Sequence, residues 1–138
     1  MPLLVWNDTM SIGVTEIDDQ HKRLFRLAND VEATLRSGFD KEAVQNDLRI
    51  LCDYAVEHFA AEEALMDMDA YPEYDKHVSE HMLCTTKALD FLEAFSEDKE
   101  VDMAAFLQFV TFWIHDHILN VDMTLGRFLR GRGQAPSA

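Results

Sequence analysis

The chain has 138 residues, which is enough for one domain with a single hydrophobic core. Its formal net charge is -14, because 26 acidic residues outnumber 12 basic ones. We therefore expect it to repel the phosphates of nucleic acids and anionic membrane surfaces. With 48% hydrophobic residues but only five Gly and three Pro, the composition favours a compact helical protein over a disordered one.

The first 18 residues come before any helical pattern and are predicted to form an extended arm. Its apolar residues, Trp6, Ile12, Val14 and Ile17, are expected to pack the arm onto the rest of the chain. The opening residues become polar too soon for a signal peptide. No apolar run reaches the ~18 residues that span a bilayer, so no membrane insertion is expected.

Four amphipathic helices are predicted to follow, each with apolar residues three and four apart. They span about Asp19 to Ser37, about Lys41 to Met68, about Glu73 to Phe95 and about Asp102 to Leu129. Asp18 or Asp19 is expected to cap the first helix and Asp40 the second, because aspartate accepts hydrogen bonds from the free N–H groups at a helix start. Gly38 can take the left-handed conformation after the first helix, and Pro72 opens the third.

Short connections between four helices imply antiparallel neighbours. The predicted fold is therefore all-α, an up-down-up-down four-helix bundle over residues 19–130, with the extended N-terminal arm at 1–18 and a flexible tail at 131–138.

Five of the six histidines fall on apolar faces of the predicted helices. His58 and Glu62 are four residues apart on the second helix, and His77 and His81 are four apart on the third, so each pair shares a face. Asp122 follows His117 by five residues, about 140° further round an α-helix. That rotation places Asp122 at the edge of the inward face. The complete inward set is His21, His58, Glu62, His77, His81, His117 and Asp122.

Burying seven polar side chains in one core costs about 1–3 kcal/mol for each unpartnered group, and more for a charged carboxylate. Metal coordination satisfies all of them together. Imidazole with carboxylate suits iron, zinc, copper or nickel, whereas the lack of thiolate ligands argues against a structural zinc or iron–sulfur site. Seven donors are too many for one ion with an open position, so the set favours two ions bridged by the two carboxylates.

The residues around these donors resemble the motifs of the hemerythrin family. The matching segments are the opening stretch Ile12 to Lys22, the H-F-x-x-E-E motif at His58 to Glu63, the H-x-x-x-H motif at His77 to His81, and the W-L-x-x-H-I-x-x-x-D motif at Trp113 to Asp122. In the last motif Ile114 replaces the leucine. The likeness covers about Leu4 to Leu129.

The resemblance implies two iron ions, Fe2+ or Fe3+, bridged by Glu62, Asp122 and an oxo or hydroxo group. One iron would take His77, His81 and His117. The other would take His21 and His58 and keep an open position for dioxygen.

Apolar residues near this open position are expected to exclude water and extra protons, although the same residues also suit plain core packing. The predicted oxygen pocket consists of Leu24, Phe59, Trp113, Ile114, Ile118 and Val121.

The resulting hypothesis is a non-enzymatic protein that binds dioxygen reversibly for transport, storage or delivery, with azide or nitric oxide as alternative ligands. An oxygen or redox sensor module and a di-iron oxidase or peroxidase are the alternatives. No histidine here has a glutamate three residues before it, unlike the Glu-x-x-His motifs of ferritin-like di-iron proteins. His115 is expected to face outward. Cys52 and Cys84 are expected to stay unbridged, in keeping with a cytoplasmic location.

Overall fold

The computed structural model describes residues 4–38 and 40–131, and over these ranges the chain is helical without strands. Its elements are a short 3-10 turn (Asp8–Met10), α1 (Thr15–Arg36), α2 (Lys41–Met68), α3 (Tyr74–Ser96), α4 (Met103–Asp116), a π-helical turn (His117–Asp122) and α5 (Met123–Gly131). The last three run on without a break and form the fourth long helix. Helix α2 packs against α1 and α3, and α1 also contacts α4. The predicted all-α four-helix bundle is confirmed.

The predicted limits of the second helix agree with the structure, and its cap explains where it begins. The Asp40 carboxylate accepts hydrogen bonds from the N–H groups of Glu42 and Ala43, at 3.0 and 3.2 Å. Asp102 caps the fourth helix in the same way through Ala105 N–H, at 2.9 Å. The predicted tail begins inside α5, which ends at Gly131, and its remaining residues 132–138 lie outside the described residues. No described helix is long and apolar enough to cross a bilayer.

The first helix begins earlier than predicted, at Thr15 rather than about Asp19. Asp18 therefore lies in the first turn and does not cap the helix; Val14 occupies the cap position without a side-chain hydrogen bond. The Asp18 carboxylate instead accepts hydrogen bonds from Ile12 N–H, at 2.9 Å, and from the Ser11 hydroxyl. Asp18 thus fastens the arm to the start of α1.

The arm closes one end of the bundle with a small core of its own. Ile12, Val14 and Ile17 are buried as predicted, whereas Trp6 is half-buried and meets Phe25 edge to face. The buried residues of this end core are Ile12, Val14, Ile17, Met66, Tyr71, Leu125 and Leu129. A larger apolar core fills the rest of the bundle. The arm therefore completes the apolar core that joins α1, α2 and α5 at this end of the bundle.

Contact between the arm and α5 depends on two glycines. Arg130 Nη1 donates to the Ile12 carbonyl oxygen at 2.9 Å and lies directly over Gly13, whose φ of +84° suits glycine. On the other side, a Cβ built on Gly126 would lie only 2.2 Å from that same carbonyl oxygen. The backbone of the arm therefore sits where any larger residue at position 126 would be.

We expect Gly126→Ala to destabilise the fold by about 1–3 kcal/mol, as overpacking of a dense core does. A glycine-to-alanine change within a helix ordinarily has the opposite sign, by roughly 0.5–1 kcal/mol. Gly131→Ala, whose Cβ would meet no side chain or distant backbone of the described residues within 4 Å, is the matched control and should cause no loss. Urea unfolding of both variants checks this, and a Gly126→Ala protein as stable as the parent would contradict the close packing.

Candidate metal centre

The structure brings all seven predicted donors together at one end of the bundle, and all seven side chains are buried. Their donor atoms form two groups, each with its members within 4.8 Å of one another. The larger group is Glu62, His77, His81, His117 and Asp122; the smaller is His21, His58, Glu62 and Asp122. Both carboxylates belong to both groups, which is the arrangement that two bridged ions need.

The position of Asp122 corrects the sequence prediction. On an α-helix, Asp122 would lie at the edge of the inward face, but the chain from His117 to Asp122 forms a π-helical turn. A π-turn pairs residues five apart, so it aligns His117 and Asp122 on one face. Asp122 is fully buried, and its Oδ1 lies 3.1 Å from His117 Nε2. The wider turn therefore brings both side chains to the same point.

Glu62 extends one carboxylate oxygen toward each group. Its Oε2 lies 2.9 Å from His58 Nε2 and 3.2 Å from His21 Nε2. Its Oε1 lies 3.1 Å from both His77 Nε2 and His81 Nε2. The carboxylate therefore spans the space between the two groups.

Asp122 has the same divided orientation. Its Oδ2 lies 2.9 Å from His21 Nε2, whereas its Oδ1 lies 3.0 Å from His77 Nε2 and 3.1 Å from His117 Nε2. Despite these short distances, neither buried oxygen of Asp122 has a properly oriented hydrogen bond. Donors that converge on a common cation lie about 3 Å apart without pointing at one another, since each is about 2.0–2.2 Å from the ion.

The contact between His81 and His117 also fits two donors that share one cation. His81 Nε2 and His117 Nε2 face each other at 3.2 Å. The opposite nitrogen of His81, Nδ1, lies 2.9 Å from Glu63 Oε2, and that of His117 lies 3.3 Å from Glu80 Oε1. In the neutral form that metal binding requires, each Nδ1–H donates to its carboxylate and both Nε2 atoms carry lone pairs. Two lone pairs cannot bond to each other, but they can bind one cation, so the donor set fits a metal ion.

These hydrogen bonds behind the histidines were not predicted from the sequence. Glu63 contacts His81 through Nδ1 at 2.9 Å, and its side chain is 30% exposed. Gln20 similarly holds His58, with Oε1 2.6 Å from Nδ1. The sequence carried two signals for them: Gln20 precedes His21 and Glu63 follows Glu62 in the chain, and both residues fall inside the matching motif segments.

Two aromatic rings fix the planes of two imidazoles. Phe59 stacks on His81, with ring centroids 4.1 Å apart and 10° between planes. Trp113 stacks on His117 at 4.3 Å and 12°. Both aromatic residues were predicted to line an oxygen pocket, and the structure shows that they also orient donors in the larger group.

A cavity of about 10 Å3 adjoins the smaller donor group, and this volume is close to the least that one water-sized molecule needs. Five of the six predicted pocket residues line it together with His21, His58, His117 and Asp122; these five are Leu24, Phe59, Trp113, Ile114 and Ile118. The sixth predicted residue, Val121, does not line the cavity. It is half-buried in a separate surface groove, because the π-turn rotates it away from the cavity.

His115 is exposed, as predicted, and lies outside both donor groups. Cys52 and Cys84 are free thiols.

Without metal, the buried carboxylates hold protons on the imidazoles. Burial lowers the pKa of His21, but the carboxylates of Asp122 and Glu62, 2.9 and 3.2 Å from its Nε2, outweigh it and raise the pKa to about 10. The same opposing effects raise the pKa of His77 to about 9. The proximity of several imidazoles in turn lowers the pKa of Glu62 and of Asp122 despite their burial.

The metal-free protein should therefore lose stability as the pH rises from about 6.5 to 10. Histidine in the unfolded chain releases its proton near pH 6.5, whereas His21 and His77 in the folded chain keep theirs up to pH 9–10. These two protonated imidazoles therefore contribute their full share to the free energy of unfolding only below pH 6.5, and that share is lost as the pH rises to 10. The expected slope is up to about 1.4 kcal/mol per pH unit for each imidazole, His21 and His77. Urea unfolding of metal-free protein between pH 6 and 10 checks this, and a flat or rising profile would contradict it.

Known proteins resemble the chain in sequence and in structure. The family model described as "Hemerythrin HHE cation binding domain" matches residues 12–129. A bacteriohemerythrin of Clostridium acetobutylicum is 31% identical over 124 residues, which cover 87% of this chain and 96% of that protein. A bacteriohemerythrin of Methylococcus capsulatus is 30% identical over 128 residues, covering 91% and 96%. The crystal structure of a wild-type hemerythrin matches with a TM-score of 0.86 at 28% identity, covering 91% of this chain and 96% of that one.

Proposed function

Since the chain belongs to the hemerythrin family, we propose that it binds dioxygen reversibly at a non-haem di-iron centre, for oxygen transport, storage or delivery. The observation that carries the proposal is the inequality of the two donor groups. One contains five protein donors and the other four, and the small apolar cavity adjoins the group of four.

The donor set assigns a role to each side chain. His77, His81 and His117 would hold one iron, and His21 and His58 the other, while Glu62 and Asp122 would bridge. Bound iron supplies exchangeable electrons and an open coordination position for a small ligand. The four-donor group has fewer protein donors, so the open position would be there.

The cavity selects what reaches that position. Leu24, Ile114 and Ile118 are almost fully buried and surround it with hydrocarbon. Dioxygen is apolar and enters such a space without losing hydrogen bonds, whereas water loses them. Keeping water and protons away favours release of the same molecule that entered. Azide and nitric oxide are small enough to compete for the same space.

We propose binding rather than catalysis because of the donor chemistry. The ferritin-like di-iron proteins use four glutamates with two histidines in Glu-x-x-His motifs, whereas this centre has five imidazoles and two carboxylates. Fewer anionic donors stabilise the oxidised irons less strongly, which favours a reversible cycle.

The test is anaerobic reduction of the iron-loaded protein followed by alternating exposure to air and argon. We expect two irons per chain and a visible absorption band that appears in air and disappears under argon over several cycles. A protein that stays colourless and carries no iron would contradict the proposal. Irreversible oxidation with turnover of an added reducing co-substrate would establish an enzyme instead.

A further inference from the structure

The hydrogen-bond acceptors behind the histidines differ between the two donor groups. In the five-donor group, His81 meets the carboxylate of Glu63 at 2.9 Å, and His117 meets that of Glu80 at 3.3 Å. In the four-donor group, the only such acceptor shown is the neutral amide oxygen of Gln20, 2.6 Å from His58 Nδ1. One histidine in each group, His21 in the four-donor group and His77 in the five-donor group, has a buried Nδ1 without a hydrogen-bond partner in the described structure.

Acceptors of this kind change how strongly an imidazole binds metal. A carboxylate that accepts a hydrogen bond from Nδ1 fixes the tautomer, orients the ring and makes Nε2 a better donor. A neutral amide oxygen also fixes the tautomer, but it attracts the Nδ1 proton less strongly and therefore raises the basicity of Nε2 less. The anionic acceptors therefore strengthen the group that already has more donors.

Access from solvent has the same asymmetry. One surface groove is lined by Glu63 and His81, and another by Glu80 and His77. Both carboxylates are partly exposed, at 30% and 35%. Both histidines of the four-donor group, His21 and His58, instead line the small apolar cavity, which His117 alone of the other group's histidines also lines. A hydrated cation can enter through grooves with carboxylates, whereas a hydrocarbon wall excludes it.

We propose that Glu63 and Glu80 are positioning residues that make the five-donor position the tighter one, so that the two metal ions load in order and the four-donor ion is the first to be lost. This inference rests on the metal pair of the proposed function but not on dioxygen binding. It predicts a stable one-ion form of the protein, with the ion held by His77, His81 and His117.

The experiment is an anaerobic Fe2+ titration of the metal-free full chain, with the one-ion and two-ion forms counted by native mass spectrometry. For the parent we expect the one-ion form to predominate at one equivalent. A crystal grown at one equivalent should show anomalous iron density at the five-donor position only.

Three exchanges separate the two positions. Glu63→Gln and Glu80→Gln should each weaken the first binding step by about 10–100-fold, the range found when such partners are removed. Gln20→Glu should strengthen the second step by a similar factor and leave the first unchanged. Glu57→Gln, an exposed glutamate on the same helix as Glu63, makes the same charge change and should alter neither step. Circular dichroism of each variant verifies that it is folded.

Each outcome bears on the inference. Simultaneous filling of both positions, or anomalous density at the four-donor position first, would overturn it. If Glu57→Gln weakened the first binding step as much as Glu63→Gln does, net charge and not the hydrogen bond to His81 would set the affinity, and the inference would also be overturned. Absence of any iron binding in the parent would instead refute the proposed di-iron function, whereas ordered loading without reversible oxygenation would leave this inference standing.

Discussion

Glu62→Ala is expected to remove iron from both positions at once, because this carboxylate directs one oxygen to each donor group. Loss of affinity should exceed the roughly 100-fold upper range for a partner behind a ligand, since a direct donor of two ions is removed. Iron analysis after reconstitution should find almost none, and the visible band should be absent.

Two further measurements make this result interpretable. Glu57→Ala removes an exposed carboxylate from the same helix and should leave iron content unchanged. Helical circular dichroism should show that Glu62→Ala is folded, because the apolar core along the rest of the bundle does not include this residue. A folded Glu62→Ala protein that retains both irons would contradict the bridging role.

Much of the fold follows from local signals that need no tertiary information. Asp40 and the apolar periodicity after it predict α2 from Lys41 to Met68, and the structure agrees. The start of α1 could not be predicted in this way. Asp18 has the residue type of a cap, but its carboxylate bonds to Ile12 and Ser11 in the arm. Whether an aspartate caps its own helix or a distant segment depends on where that segment packs.

The donors were accessible to sequence reasoning because helical spacing places residues four apart on one face. His58 with Glu62 and His77 with His81 need no more than that. The spacing of His117 and Asp122 is different, because five residues fit an α-helix poorly and a π-turn well. A π-turn has no strong sequence signal, so its presence here was found only in the structure. Its displacement of Val121 from the oxygen pocket could not be predicted either.

The hydrogen-bond acceptors behind the histidines could not be assigned their role from the sequence alone. Glu63 and Glu80 are charged and partly exposed, which is also what ordinary surface glutamates are. Glu63 ends the H-F-x-x-E-E motif, but only the distances of Glu63 and Glu80 to His81 and His117 show that they act as acceptors. Sequence patterns identify polar residues on apolar helix faces, because burying them is costly. Hydrogen-bond partners that stay near solvent, such as Glu63 and Glu80, do not interrupt an apolar face and so are not identified in this way.

Ile118→Asn is expected to speed irreversible oxidation of the oxygenated protein by about 10–100-fold while iron content stays near that of the parent. Ile118 is 2% exposed and lines the small cavity beside His117 and His21. An amide there offers hydrogen bonds worth about 1–3 kcal/mol to water or to a proton donor. A barrier lowered by that amount corresponds to roughly that rate change, at about 1.4 kcal/mol per factor of ten.

Val121→Asn is the matched control, because it places the same side chain in the same π-turn but outside the cavity. Val121 lies in a surface groove with Asn120 and Thr124, where an amide adds one more polar group among others. Its oxidation rate, followed as decay of the visible band in air, should match that of the parent. If both variants decay equally fast, the apolar cavity does not protect the bound ligand. If only Ile118→Asn decays faster, exclusion of water at the four-donor position is what keeps the binding reversible.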